Sequence, residues 1–548
     1  VSLAPAARTG RGGLPGRLPE TGAGGDADGR YGLPGAGGEF LPGRRAGGGH
    51  LPGPADDDGL RGPPGGGPAG RPGTPTGGGA RGAVMNIVLA AHHFLPRYVA
   101  GVELHTYRLA RWLLRHGHNV QVVCVESVTD REFNSTLDVY DEIPVHRLHL
   151  GLQKIPGPLS LQFWNPDIGK WFGQFLSRMR PDIVHINSMY LLSANTALAA
   201  KESGYPLVIA LHDYWALCPL ITLLRPDGSL CDALDDAVEC AWCLMMLQRR
   251  YRLLGAVLYG VIGRLVKRAL AHPIIAPFLG WQQRVNTVGT RQSLLRRVLG
   301  QADAVVVATH FLKNMLVRSG YAEEIKIVIC PYGLDISGWN PVAVTPGDAH
   351  NLLRIGYIGQ ITYQKGVPLL TQAFNRLKGS ARIPELKIYG DLRRFPHYAA
   401  WLERLAEGNP RVIFAGTYDN KDTPRVFAGI DVLVVPSIWY EGAPLVIAEA
   451  FATKTPVVAA GIGGMAELLR HEVNGLVFRA GSVEDLVTHL QRLLDDVDLL
   501  NRLRQGIGEV RSIDDEMAQL MGIYNSLVVK NRGPVSERFS ESAGLDLA

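Results

Sequence analysis

From Met85 onward the chain alternates two apolar patterns. Short unbroken runs of Val, Ile, Leu and Ala trade places with longer stretches in which apolar residues recur every three or four positions. The first pattern suits strands buried on both faces, the second helices with one buried side. Their alternation predicts parallel sheets covered by helices. Strands are predicted at Asn86–Ala91, Val120–Val125, Asp182–Ile186, Leu207–Leu211, Ala304–Val307 and Lys326–Cys330. An amphipathic helix is predicted over Val102–Arg115, closed by Gly117. From Asp335 to Asn351 the rhythm breaks into Gly, Asn, Pro, Asp and His, which reads as a linker. It then restarts, with strands at Arg354–Ile358, Leu386–Tyr389, Val412–Phe414, Val432–Val435, Val457–Ala459 and Leu476–Phe478 and a helix over Val367–Leu377. The expected fold class is α/β, with two doubly wound domains facing across a cleft.

Composition changes the picture at one end. The first 84 of the 548 residues hold 28 Gly and 12 Pro and no Lys, Ile, Asn, Gln, Met, Cys or Trp. Such a segment buries too little apolar surface to offset its ordering entropy, so disorder is expected over 1–84. The missing types include those with AT-rich codons. The segment therefore reads like GC-rich upstream DNA, and translation is expected to begin at Met85; a genuine flexible tail is the other reading. In the middle of the chain the longest apolar run, Leu253 to Ile262, ends before Arg264. It falls short of the roughly 20 residues that span a membrane. Six cysteines in so long a chain do not suggest a disulfide framework. A soluble, cytosolic protein is expected.

The most informative chemistry is Glu441-Gly-Ala-Pro-Leu-Val-Ile-Ala-Glu449, just after the strand-like Val432-Leu-Val-Val-Pro436. Pro444 suits a first helical turn, and Pro444 to Thr453 reads as one short helix. At about 1.5 Å per helical residue, Glu449 lies roughly 8–12 Å beyond Glu441. Backbone amides of Gly442, Ala443 and Leu445, at a helix start, suit phosphates. Two carboxylates flanking an anion site fit the hydroxyls of a nucleotide sugar on either side of its pyrophosphate. A surface Glu plus an ordinary helical ion pair would satisfy the spacing too.

Other turns add candidates. Gly359-Gln360 opens the second domain's first loop, and Lys365 sits beside the following helix start, either on a phosphate or in solvent. Ala100-Gly101-Val-Glu103 follows the first strand. His212 closes Leu207–Leu211, where it meets either sugar hydroxyls or loop backbone. Gly461-Ile-Gly463-Gly464 imitates a dinucleotide fingerprint but comes late in its domain and lacks the acidic residue about 20 positions on, so tight packing or ligand approach is the preferred reading. Cys218, Cys231, Cys240 and Cys243 form either a structural zinc site or a set of reduced loop cysteines. The basic stretch Arg249, Arg250, Arg252, Arg264, Lys267, Arg268, Arg284, Arg291, Arg296 and Arg297 is either an anionic-membrane contact or a solvated helix face. No nucleic-acid motif accompanies it.

In series these pieces resemble glycosyltransferase family 4. The matching residues are Ala100-Gly101-Val-Glu103, Gly117-His118, Asp182-Ile-Val-His185, Ala302-Asp303, Pro331-Tyr-Gly333-Leu-Asp335, Gly359-Gln360…Lys365-Gly366, Pro436-Ser437…Glu441…Glu449-Ala450, Thr455-Pro-Val-Val, Gly463-Gly464…Glu467 and Asn474-Gly475. The His212-Asp-Tyr-Trp…Cys218-Pro segment looks like a bacterial surface-polysaccharide subgroup. The resemblance implies two Rossmann-like domains (the GT-B fold). Residues 85–340 would be the acceptor-side domain with a cysteine-containing insertion, and 341–513 the nucleotide-sugar domain. Residues 514–530 would form a helix packing back on the first domain, and 531–548 a loose tail. It implies retention of anomeric configuration, no metal cofactor for catalysis, and a glycan or lipid-linked acceptor. Glu441 would support charge at the anomeric carbon, Glu449 would bind ribose, Lys365 would neutralise the leaving diphosphate, Gly101 would admit donor and acceptor, and His212 would touch the donor sugar. Gln360 stands where the family often has Arg, and Ala100-Gly101 where it has paired glycines. A non-catalytic scaffold of the same fold is the alternative.

Overall fold

The computed structural model describes residues 83–129, 132–151, 158–232, 234–247, 281–336, 339, 351–380 and 382–531. Two sheets organise them. The first holds β1 (Asn86–Ala91), β2 (Asn119–Thr129), β3 (Asn134–Tyr140), β4 (Ile143–Gly151), β5 (Ile183–Ile186), β6 (Leu207–Leu211), β7 (Ala304–Val307) and β8 (Ile327–Ile329), in the order β3-β4-β2-β1-β5-β6-β7-β8. All neighbours pair in parallel except β3 and β4. Strand β1 shows why the apolar runs are unbroken. Val88 and Ala90 enter one core, while Ile87 and Leu89 enter the opposite one. Successive side chains point to opposite faces, and helices cover both.

The β3–β4 hairpin was not legible as strands in the sequence. β3 lies at the sheet edge with Leu137 and Val139 exposed, so burial left no mark on it. Its turn uses Asp141 and Glu142 at φ 48° and 67° instead of the Asn-Gly or Asp-Gly that signals such a turn.

The second sheet holds β9 (Leu352–Ile358), β10 (Ile383–Tyr389), β11 (Val412–Gly416), β12 (Val432–Val435), β13 (Val457–Ala460) and β14 (Gly475–Phe478), all parallel, in the order β11-β10-β9-β12-β13-β14. Winding reverses between β1 and β5 in the first sheet and between β9 and β12 in the second. Ligands of open α/β sheets bind outside the strand carboxyl ends at such points.

The final helix, Ile513–Asn531, buries Ile513, Met517, Leu520, Tyr524 and Val528 in the core that contains Ile87 and Leu89. The chain thus crosses back to its first domain. Gly333 makes the crossing possible, because a Cβ there would lie 2.1 Å from the Ser512 carbonyl oxygen. Most of Asp335–Asn351, the tail after Asn531 and residues 1–82 lie outside the described residues, as does the Leu253–Ile262 run. Among the described residues no helix is long and apolar enough to cross a membrane.

Candidate active site

The loop after β12 carries Glu441 into the second domain's switch point. Glu441 is 6% exposed, and its Oε1 accepts three hydrogen bonds: from Lys365 Nζ at 2.7 Å, Ser437 Oγ at 2.7 Å and Trp439 Nε1 at 2.8 Å. Lys365 comes from the loop after β9, the neighbouring strand. It ends a short 3-10 turn, Tyr363–Lys365, and its Nζ also sits 5.3 Å from the Trp439 ring centre. Gly366 follows at φ +72°, and a Cβ there would lie 1.8 Å from the Pro436 carbonyl oxygen. Glycine therefore lets the two loops touch and brings cation and carboxylate together. Gly359 and Gln360 are held by their backbones: the Gly359 N–H donates to Tyr389 O at 3.1 Å, and the Tyr357 hydroxyl donates to Gln360 O at 2.7 Å.

The helix carrying Glu449 spans Leu445–Ala452, one residue shorter at each end than the spacing predicts. Pro444 is not in its first turn. It is the N-cap, and its ψ of 115° takes it out of helical geometry. Gly442 and Ala443 therefore belong to the approach loop and Leu445 opens the helix, where the Ile447 N–H already donates to Pro444 O at 3.0 Å and the Leu445 and Val446 N–H groups precede the first intrahelical bonds. Gly442 packs against the first domain, with a Cβ there 2.8 Å from the His212 carbonyl oxygen. Glu449 is largely buried, which pushes its pKa up. Arg108, from the first-domain helix Gly101–Arg115, opposes the shift with Nη2 4.0 Å from Oε1.

On the facing side Gly101 is the first residue of its helix, and a Cβ there would meet nothing within 4 Å. His212 follows β6. Its Nδ1 is 2.5 Å from the Tyr332 hydroxyl and its Nε2 3.4 Å from Asn187 Oδ1. Burial, reinforced by His105, His185 and His92, holds its pKa well below 6.5, so the ring is neutral. The Tyr214 hydroxyl donates to the Glu441 carbonyl at 3.0 Å, joining this loop to the opposite domain. The glycine turn after β13 packs against the same loop from within the second domain. Gly464 N–H donates to Glu441 O at 2.9 Å, and a Cβ on Gly464 would lie 1.6 Å from the Gly442 oxygen. Those glycines serve close backbone packing around Glu441.

Two further sets of candidates lie in the first domain. Cys218, Cys231, Cys240 and Cys243 share a neighbourhood, and burial with the adjoining thiols pushes Cys240 up to about 12. Yet among the described residues no group of three or more His, Cys, Asp or Glu is arranged to hold a metal ion. Cys218 joins the first-domain core and Cys240 a small cluster with Trp242 and Trp281, so these two thiols pack as apolar groups. Among the described residues the basic stretch does not form one exposed face. Arg291 is fully buried, with its guanidinium on the carbonyls of Trp215 and Ala216, and Arg296 pairs with Asp235. Arg249, Arg250, Arg252, Arg264, Lys267 and Arg268 lie outside the described residues.

Sequence reasoning missed several members of the site. Ser437 was visible as part of a motif, while Trp439, two residues before Glu441, is identified by the structure through its bond to that carboxylate. Tyr332 and Tyr214 stood inside quoted motifs without a role, and Asn187 and Glu516 left no local signal, because topology alone brings them near.

Two facing doubly wound domains with a carboxylate–lysine pair at the switch point define a GT-B glycosyltransferase. Residues 100–250 match the family described as "Glycosyl transferase 4-like domain", and residues 353–496 match "Glycosyl transferases group 1". The chain belongs to the family-4-like glycosyltransferases. It is similar to an uncharacterized 42.6 kDa protein in the cps region of Klebsiella pneumoniae, at 23% identity over 70% of this chain and 88% of that one. It is also similar to the UDP-Gal:alpha-D-GlcNAc-diphosphoundecaprenol alpha-1,3-galactosyltransferase of Escherichia coli, at 22% identity over 63% of this chain and 97% of that one. The fold matches the sucrose-phosphate synthase of Thermosynechococcus elongatus, with a TM-score of 0.56 and 18% identity over 81% of this chain and 100% of that one. It also matches Anabaena HepE in complex with UDP and glucose, with a TM-score of 0.53 and 17% identity over the same shares.

Proposed function

We propose that this glycosyltransferase moves a hexose from a UDP- or GDP-sugar to a glycan or lipid-linked acceptor, with retention, in cell-surface or exopolysaccharide synthesis. The observation that carries the reading is the Glu441 carboxylate held by Lys365, Ser437 and Trp439 at the β9/β12 switch point, facing the His212 loop. A single Oε1 takes all three donors. The other carboxylate oxygen is left to meet a donor-sugar hydroxyl and the positive charge growing at the anomeric carbon. Lys365 is shared between Glu441 and the diphosphate as it departs. The amides at the Leu445 helix start bind its oxygens, and Glu449 takes the ribose hydroxyls. The bond from the anomeric carbon to the diphosphate breaks. The acceptor oxygen bonds to that carbon on the same face, and its proton passes to the leaving diphosphate.

Lys365 supplies the cation at the leaving group, so transfer proceeds without a metal cofactor and persists in EDTA. The relatives support the substrate class. One carries a UDP-sugar and a diphosphoundecaprenol-linked sugar in its name, another sits in a cps region, and HepE is seen with UDP and glucose. The working place is then the cytoplasmic face of the plasma membrane, where such acceptors are presented. The test is hydrolysis and thermal stabilisation of the full chain across a panel of UDP- and GDP-hexoses, with product anomer read by NMR. Stabilisation by one donor, with turnover lost in Glu441→Ala, supports the reading. No donor stabilising or reacting overturns it.

A further inference from the structure

We propose that Tyr332 is a positioning residue for this reaction: its hydroxyl donates to His212 Nδ1 and fixes the His212 tautomer that carries its proton on Nε2. The inference rests on the reading of His212 as a donor-sugar contact. Its structural half stands on the geometry alone.

The contact is short, 2.5 Å between the Tyr332 oxygen and His212 Nδ1. A phenol and a neutral imidazole share one hydrogen bond here, and its direction follows from the partner of the other ring nitrogen: Nε2 faces the acceptor Asn187 Oδ1, so Nε2 carries the proton and Nδ1 accepts. Burial raises the Tyr332 pKa far above its ordinary value, so the phenol keeps the proton it shares. Burial lowers that of His212, so the ring is neutral with one bare nitrogen. The bare nitrogen is Nδ1 and the protonated one Nε2. The bond at one ring nitrogen sets the state of the other. The Nε2 partner, Asn187 Oδ1, stands 3.4 Å away. That bond is long enough to be exchanged for a sugar hydroxyl without leaving a strong interaction behind.

Tyr332 is itself held from two sides. His105 stacks obliquely against both rings, 4.9 Å from Tyr332 and 4.8 Å from His212. Glu516, 2% exposed and 411 positions away in the chain, accepts from His105 Nε2 at 2.6 Å and from the Gly333 N–H at 2.7 Å. A single buried carboxylate on the final helix therefore fixes both the ring behind Tyr332 and the peptide just after it. The return of the last helix to the first domain thus has a chemical consequence at the site. It holds the residue that decides which His212 nitrogen faces the cleft as a donor.

The test uses the full chain and two independent readouts. In protein labelled with 15N-histidine, long-range 1H–15N spectra identify the His212 signals by their loss in His212→Gln. The expected pattern is a bare Nδ1 and a protonated Nε2, and Tyr332→Phe is expected to mix the tautomers. A protonated Nδ1 in the wild type overturns the proposal whether or not any donor reacts. Turnover is measured with UDP-glucose, UDP-galactose and GDP-mannose. For the donor that reacts, Tyr332→Phe should lower kcat by about 10- to 100-fold, the scale of a misplaced contact, with KM little changed. His212→Gln, whose amide N–H replaces Nε2–H, should keep more turnover than His212→Asn, whose amide replaces Nδ1–H. Adding Tyr332→Phe to His212→Gln should then cost almost nothing, since Nδ1 is gone. The full Tyr332→Phe loss in that background would mean a merely structural Tyr332 and sink the proposal. Failure of every donor to bind wild type would strike the functional reading, while the spectra still decide the tautomer.

Discussion

Lys365 Nζ and Glu441 Oε1 lie 2.7 Å apart although 76 positions separate them in the chain, and both are largely buried. A paired carboxylate and ammonium in a cleft are two tools kept neutral together until a charged ligand enters. Removing either should therefore cost reaction more than fold. Lys365→Ala and Glu441→Ala are each expected to lower turnover by about 100- to 1,000-fold, the scale of one lost electrostatic contact to a transition state. Glu441→Gln keeps the Ser437 and Trp439 donors satisfied and should melt close to wild type while remaining equally slow. Steady-state kinetics and thermal melts on the three variants check this. Wild-type turnover in both alanine variants would refute the site.

The pair also shows what the sequence made legible. Glu441 and Lys365 were readable because each follows a strand-like run at a turn, and a parallel sheet sends such turns to one edge; Glu449 was readable from its place on the short helix that follows Glu441. The order of the sheets was not readable, since nothing local tells which strands become neighbours across a crossover. For the same reason Arg108 beside Glu449 and Tyr332 beside His212 were invisible. Each lies on an element that only the closed arrangement of two domains, or the return of the last helix, brings into place. The cysteines are a further case. A Cys-x-x-Cys spacing fits a metal site or reduced thiols alike, and nothing local tells that a tryptophan-lined cluster takes Cys240 into apolar packing.

Glu467 binds the domains to each other. Its carboxylate accepts from the backbone N–H of His310, at 2.8 Å, and of Phe311, at the start of the first-domain helix His310–Arg318. It adds a charge at the positive end of that helix from the opposite side of the cleft. Such contacts contribute about 0.5–2 kcal/mol. Glu467→Ala should shift the closed arrangement toward open by roughly 2- to 30-fold at about 1.4 kcal/mol per tenfold. Small-angle scattering should show a larger radius of gyration, and Glu467→Gln, which keeps an acceptor, should lie between. Scattering curves identical for wild type and Glu467→Ala would show that this cap does not hold the domains.

Asp213, next to His212, gives the molecule a pH dependence. Burial is the main cause that raises its pKa from 3.8 to about 6, with Glu103 adding to it and Arg291 and the Trp215 N–H opposing. A carboxyl whose folded pKa exceeds its unfolded one holds an extra proton when folded. Its contribution is fully present below about pH 4 and is lost as pH rises through about 6. Asp213→Asn keeps the acceptor for Trp215 N–H and stays neutral at every pH. Its stability relative to wild type should therefore grow between pH 4 and pH 7, by at most about 3 kcal/mol at 1.36 kcal/mol per pKa unit. Urea unfolding of both proteins at pH 4, 5, 6 and 7 measures the difference. A gap that stays constant across that range would show that Asp213 does not titrate in this way.

Gly366 is where backbone geometry and chemistry meet. Its φ of +72° is a left-handed conformation, and the missing side chain leaves room for the Pro436 carbonyl, which a Cβ would meet at 1.8 Å. Gly366→Ala must therefore strain the residue, about 1–2 kcal/mol for the left-handed backbone, and push the β9 loop off the β12 loop. The neighbour to be displaced is backbone rather than a flexible side-chain end, so the movement falls on the two segments that carry Lys365 and Glu441. The expected variant melts lower than wild type by several degrees and loses turnover more than its melting point suggests, because the 2.7 Å pair is drawn apart. Adding excess nucleotide should restore the melting temperature only in part. Gly101→Ala is the control for a glycine with open space around it: a Cβ there meets nothing within 4 Å, so its melting point should stay near wild type. Equal melting points and equal turnover for Gly366→Ala and wild type would show that the close approach of the two loops is not required.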